Sequence, residues 1–273
     1  MPSLVRAAVL AACATLGACL PRDPAPEVPP ADLRVTVAAG ALVAPDTVAA
    51  GWTRLRVDED GAGHIVVLFR LPDTATEAET AAFLAALDTA RVTPAPGLAL
   101  GGPEVGDTGT VVLELSRGSY VLGCLRRGAD GHRHAVTGEA RTLVVGLGSP
   151  GSEPAAPPVV AHEVRMTDFA YAGSDTWEAG AQLLRVVNDG RQDHQLRIDR
   201  LQEGVTLQDW LRAEDASGLG TPVAGVARLG PGPTAYLPLE LVPATYVLYC
   251  LVTDPSTGRQ HVELGMLRAV AVR

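Results

Sequence analysis

The chain is predicted to be all-β, two tandem Greek-key β-sandwiches that are each interrupted by one short helix. Three observations predict it. β-Branched, aromatic and other apolar residues recur in short runs bounded by Gly, Pro and Asp, which is strand patterning. Four sequence blocks occur twice in the same order. One short helical stretch falls at the matching place in each half.

The duplication is read directly. Residues 36–57 (TVAAGALVAPDTVAAGWTRLRV) match 166–187 (MTDFAYAGSDTWEAGAQLLRVV), with Asp46-Thr47 over Asp175-Thr176 and Gly51 over Gly180. Residues 60–71 match 189–201, 113–124 (LELSRGSYVLGC) match 239–250 (LELVPATYVLYC), and 134–145 match 261–272. Common order and spacing bound each unit at about 115 residues.

Within a unit the expected strands run 34–37 and 164–166, 53–57 and 183–187, 65–70 and 195–198, then the runs at Leu113 and Leu239 and the pair flanking each Cys–His loop. Thr76 and Glu79 form a capping box that starts the first helix, whose apolar face is Phe83, Leu84 and Leu87. The second helix starts at Thr206 with Asp209 near its first turn; Leu207, Trp210 and Leu211 are expected to pack down. Residues 97–109 are glycine-rich but lack the strand and helix of a phosphate loop, and read as a plain connection.

The N-terminus carries processing signals. Arg6 precedes an apolar stretch, 7–16, too short to span a bilayer. The ending Leu16-Gly17-Ala18-Cys19 resembles the bacterial lipobox, which implies a lipoprotein signal peptide over 1–18 and lipid attachment at Cys19; the alternative is ordinary cleavage near Cys19, or a different start. A proline-rich tether, 19–31, follows. The first sandwich is expected over 32–148, a linker over 149–160 and the second sandwich over 161–273. An extracytoplasmic protein held at the membrane, periplasmic or at the cell surface, is the expectation. The two remaining cysteines, Cys124 and Cys250, hold equivalent places in separate units, too far apart to pair. In an oxidising compartment such cysteines need burial or a metal.

With 273 residues and 47% apolar content the chain can bury two cores. A formal charge of -9 excludes a nucleic-acid partner of the usual kind, which wants a basic face. No G-x-S-x-G elbow, Walker glycine loop or H-E-x-x-H helix is present, so no enzyme class is indicated. The 4% aromatic content gives no stacking platform for sugars or bases.

The chemistry-bearing stretch is 244–272, ATYVLYCLVTDPSTGRQHVELGMLRAVAV. A thiolate, an imidazole and a thioether on one strand-loop-strand unit, with a second imidazole from His194, are a soft donor set suited to copper. The candidate metal ligands are therefore His194, Cys250, His261 and Met266, with Gly265 letting the backbone turn. The first unit offers His64, Cys124 and His134 at the same places, but Glu139 where Met266 would stand. That set is harder: a degenerate site, or one for zinc or a different copper geometry. A buried cysteine without any metal is the plain alternative at Cys124 and Cys250, and Glu139 is alternatively a surface residue of a dead site. His132 and His162 read as surface residues, although His132, two before His134, could serve as the ligand in its place.

The pattern YVLYC…H…GM resembles the C-terminal loop of plastocyanin-like blue copper proteins (cupredoxins), and NDGRQDHQLRI resembles the segment carrying their first histidine ligand. The resemblance implies cupredoxin-like units, one copper ion in the second unit held by His194, Cys250, His261 and Met266, and outer-sphere electron transfer or copper handling outside the cytoplasm. A redox protein or a copper donor is the implied partner. An electron carrier of this kind wants His261 edge-exposed in an apolar patch. Ten residues, LVTDPSTGRQ, separate Cys250 from His261, where the family has only a few; Asp254-Pro255 and Gly258 suit a turn that brings the loop back. The alternative is a metal-free cell-surface double sandwich used for binding or as a scaffold.

Overall fold

The computed structural model describes residues 31–59, 61, 63–104, 108–147, 157–213 and 215–273. The leader, Cys19, the tether up to residue 30 and linker residues 149–156 lie outside the described residues. Ala31, expected to end the tether, opens the first strand.

The first unit runs β1 (Ala31–Ala38), β2 (Ala41–Val43), β3 (Thr47–Ala49), β4 (Gly51–Glu59), β5 (Val66–Arg70), helix α1 (Glu77–Thr89), β6 (Leu98–Pro103), β7 (Thr108–Leu115), β8 (Gly118–Cys124), the helical turn α2 (His134–Thr137) and β9 (Ala140–Gly146). The second repeats it: β10 (His162–Thr167), β11 (Ala170–Gly173), β12 (Thr176–Trp177), β13 (Gly180–Asn188), β14 (His194–Leu201), helix α3 (Leu207–Arg212), β15 (Gly220–Leu229), β16 (Thr234–Leu241), β17 (Ala244–Tyr249), a 3-10 turn (His261–Leu264) and β18 (Leu267–Val272).

The strands form two sheets, and each sheet runs through both units. One has the order β11-β10-β13-β16-β7-β4-β1-β2, the other β12-β18-β17-β14-β15-β6-β5-β8-β9-β3. The seams are β7 against β16 and β6 against β15, both antiparallel pairings of equivalent strands. That relates the two units by an approximate twofold axis. One hydrophobic cluster runs from Leu33 and Leu55 to Leu248 and Val270.

β6 corrects the reading of 97–109 as a plain connection. A Cβ at Gly102 would stand 1.9 Å from the Val66 carbonyl oxygen, and one at Gly225 2.6 Å from that of Leu196. Glycine is required at both points because the neighbouring strand backbone passes there. The two glycines hold equivalent positions and repeat the duplication.

The helices sit where expected and carry the predicted caps: Thr76 with Glu79, and Thr206 with Asp209. Helix α1 covers the outer face of β5. Val66 and Leu68 enter the inter-sheet core, while Val67 and Phe69 pack with Phe83 and Leu87 beneath the helix. Alternate strand residues thus face two apolar layers, which is why β5 is a continuous hydrophobic run. Helix α3 is half as long. Leu207 and Trp210 pack against Leu201, Val247 and Tyr249, but Leu211 is 52% exposed, against expectation. Tyr120 and Tyr246 tie each Greek key by donating their hydroxyls to the carbonyl oxygens of Ser116 (2.6 Å) and Val242 (3.0 Å).

Candidate metal centres

In the second unit β14 and β17 are antiparallel neighbours, so His194, which opens β14, comes near Cys250, the residue just after β17. His261 opens the 3-10 turn and Met266 precedes β18. All four residues are 0% exposed. His261 Nδ1 is 3.1 Å from His194 Nδ1 and 3.4 Å from Cys250 Sγ. The three donor atoms lie within 4.8 Å of one another. An ion about 2.0–2.3 Å from nitrogen and sulfur donors would set those donors about 3.3–3.8 Å apart; the two sides that meet at His261 Nδ1, 3.1 and 3.4 Å, lie near that spacing, and the third is within 4.8 Å.

The surroundings orient the donors. His194 Nε2 is 2.8 Å from Asp168 Oδ1, which places the proton on Nε2 and the Nδ1 lone pair on the cluster side. The Gln195 amide donates to Cys250 Sγ at 3.3 Å, and Gln195 Oε1 accepts from the Leu251 amide at 3.1 Å. Phe169 packs on the His261 ring at 4.8 Å. His261 Nε2 is buried without a hydrogen-bond partner. The edge exposure that an electron carrier wants of His261 is not found: the ring is fully buried, with Phe169 packed on it.

Burial dominates the protonation of these groups. It pushes the Cys250 thiol up to about 12 and lowers His194 against the opposing pull of Asp168. His261 falls to about 4, through burial first and the neighbouring His194 second. Both imidazoles are thus neutral near pH 7, the form that binds metals.

The ten-residue excursion closes on itself. Asp254 Oδ2 accepts from Ser256 Oγ (2.6 Å), the Thr257 amide (2.8 Å) and Thr257 Oγ1 (2.6 Å), while Gln192 Nε2 donates to Oδ1 at 3.0 Å. Gly258, with φ of 75°, turns the chain back. An antiparallel bridge between Thr253 and Gln260 closes the neck, and the His261 amide donates to the Val252 oxygen at 2.8 Å. The loop leaves and returns at nearly one point, so its length does not displace His261.

The first unit assembles an equivalent group. His64, Cys124, His134 and Glu139 offer donor atoms within 4.8 Å of one another. Glu139 is 3% exposed, not a surface residue, and its Oε2 lies 2.8 Å from His64 Nδ1 and 3.0 Å from His134 Nδ1. Cys124 Sγ is 3.6 Å from His64 Nδ1, and burial pushes its thiol up to about 12. The expectation of an ion in the second unit alone is corrected accordingly: a candidate cluster exists in each unit. Cys124 and Cys250 are both free and buried.

His132 is exposed and pairs with Asp88 at 2.7 Å, which raises its pKa. His162, expected at the surface, is largely covered: it stacks on Trp177 and meets Glu178 at 2.7 Å. The sequence reading missed Asp168 and Phe169, which lie in the duplicated first block with no motif to single them out.

Two sheets running through both halves, with a His–Cys–His cluster at the matching place in each half, define a tandem β-sandwich protein with two candidate metal-binding clusters. No protein-family model matches the chain, and no curated protein does. Among solved structures it is similar to an auracyanin from the photosynthetic bacterium Roseiflexus castenholzii, at 22% identity over 41% of this chain and 94% of that one, TM-score 0.29. It is also similar to auracyanin A, a blue copper protein of Chloroflexus aurantiacus, at 18% identity over 43% and 100% of the two chains, TM-score 0.31. A multicopper oxidase aligns over 89% of this chain and 88% of its own at 13% identity, TM-score 0.26.

Proposed function

We propose that the second unit would hold one copper ion through His194, Cys250 and His261, with the Met266 thioether as a weaker donor, and that it serves in electron transfer or copper handling. The observation that carries this reading is the convergence of His194 Nδ1, His261 Nδ1 and Cys250 Sγ in one buried cluster. Asp168 supports it by holding His194 in the tautomer whose Nδ1 lone pair faces the cluster. A bound copper ion supplies one-electron redox chemistry at a thiolate. The chain supplies two oriented imidazoles, a thiol that loses its proton on metal binding, and enclosure by Phe169 and the closed loop.

The first unit supports a second reading. A carboxylate in place of the thioether makes the set of His64, Cys124, His134 and Glu139 harder, suited to zinc or to a copper centre of different geometry. A metal-free scaffold is the alternative to both.

We place the protein outside the cytoplasm, anchored through a lipid on Cys19, with a redox protein or a copper donor as its partner. Among the described residues no helix is long and apolar enough to cross a membrane.

Metal analysis after copper loading tests the reading. It predicts one tightly held copper per chain that His194→Ala and His261→Ala each release. A protein that emerges from desalting without copper would leave the scaffold reading.

A further inference from the structure

Between the two units, on the seam side of the clusters, lies a cleft of about 390 Å³. Arg91, Arg127, Arg133, Arg197 and Arg228 line it, with Glu104 the one acidic residue in its wall. Such a concentration of guanidinium groups is out of keeping with a chain of net charge -9. It is formed only when the two units come together, because Arg91, Arg127 and Arg133 come from one and Arg197 and Arg228 from the other.

The arginines are held largely by neutral acceptors. Arg133 donates to the carbonyl oxygens of Leu125 (2.7 Å) and Ala90 (3.2 Å), and Arg127 to those of Gly131 (2.6 Å) and Asp88 (2.8 Å). Arg228 donates to the Arg91 carbonyl at 3.0 Å. A carbonyl fixes a guanidinium without cancelling its charge. The carboxylates near the group are Asp193, 3.5 Å from Arg228, Asp88, 3.9 Å from Arg127, and Glu104, 3.9 Å from Arg197. Five cations thus face three acids. Burial also leaves Glu104 half-protonated near neutrality, with a pKa of about 7. Two donors are left over: the Nε atoms of Arg133 and Arg197 are buried and have no hydrogen-bond partner.

The geometry points to an oxyanion site: the cleft binds a phosphate or sulfate group, free or as the head of a small organic ester. Guanidinium forks match the oxygens of such groups in pairs, and the volume lies at the small end of ligand sites. The walls include Leu125, Gln195 and Leu251, each one residue beyond a cluster donor. A bound anion would therefore sit beside both clusters. The proposal does not rest on the copper reading, since the arginines are present whether or not a metal binds.

Calorimetric titration of the full chain with inorganic phosphate, sulfate and glycerol 3-phosphate, at ionic strength held constant with sodium chloride, tests it. Saturable binding of one equivalent is expected, weakened tenfold or more by Arg197→Gln and by Arg133→Gln. Arg34→Gln, on an exposed face of β1, should leave it unchanged. Tighter binding of the ester would identify an organic phosphate, and equal or weaker binding a free oxyanion. Arg133 is tied into the loop, so Arg127→Gln, half-exposed, serves as a further variant, with circular dichroism establishing that each is folded. Absence of saturable binding, or binding that folded Arg197→Gln and Arg127→Gln retain undiminished, would overturn the proposal.

Discussion

Glu139 and Met266 occupy the same backbone station. The amide of Glu139 donates to the His134 oxygen at 2.8 Å and that of Met266 to the His261 oxygen at 2.9 Å. In return the Cys124 amide donates to the Glu139 oxygen at 3.0 Å, and the Cys250 amide to that of Met266 at 3.3 Å. The main chain is thus the same in both units and only the side chain differs, a carboxylate against a thioether. Exchange at these two positions should redirect metal preference. Met266→Glu is expected to weaken Cu(I) retention at least tenfold, measured by competition with a chelator. Glu139→Met removes the carboxylate that both partly buried imidazoles of the first cluster meet, at a cost of about 1–3 kcal/mol in the metal-free protein, while making the first unit more copper-like.

Asp168 fixes His194 from behind. Asp168→Ala removes the acceptor of the His194 Nε2 proton and should lower stability by about 1–3 kcal/mol in chemical denaturation. Metal affinity of the second cluster should fall about 10–100-fold, because the imidazole is free to rotate or change tautomer. Unchanged affinity would mean that packing alone orients the ring.

Asp254 organises the long loop. Its four side-chain hydrogen bonds hold its carboxyl well below the ordinary carboxylate range. Because the folded pKa is depressed, the stabilisation is present above the unfolded value of about 4 and is lost as pH falls below it. Asp254→Ala should increase amide hydrogen exchange across residues 253–260 and speed metal loss from the second cluster, while the first cluster is unaffected.

Glu104 acts in the opposite sense. Burial raises its pKa from 4.5 to about 7, against the opposing influence of Arg197 and Gln195. Between those values the folded chain holds a proton that the unfolded chain has released, so stability falls as pH rises from 4.5 to 7, by up to about 3 kcal/mol. Glu104→Gln should flatten this slope in thermal melts taken across that pH range.

Much of this architecture was legible in the residues. The duplicated blocks located equivalent donors in both units, and the capping residues located both helices. Two things were not legible. β6 was hidden because its Gly101 and Gly102 read as loop composition, whereas glycine is demanded at Gly102 by the passing backbone at Val66 and at Gly101 by its φ of +90°. The burial of Glu139 was hidden because a carboxylate on a strand edge reads as surface; only the approach of two imidazoles makes it an interior residue. The union of the sheets across the seam carried no sequence signal, because strand pairing between units depends on tertiary placement rather than on a local pattern.

The visible absorption spectrum after addition of Cu(II) tests the central claim most directly. An intense thiolate-to-copper band is expected in the unmodified chain, abolished by Cys250→Ser and retained in Cys124→Ser. A chain that takes up Cu(II) without such a band, or whose band survives Cys250→Ser, would contradict the assignment of the second unit as the thiolate-copper site.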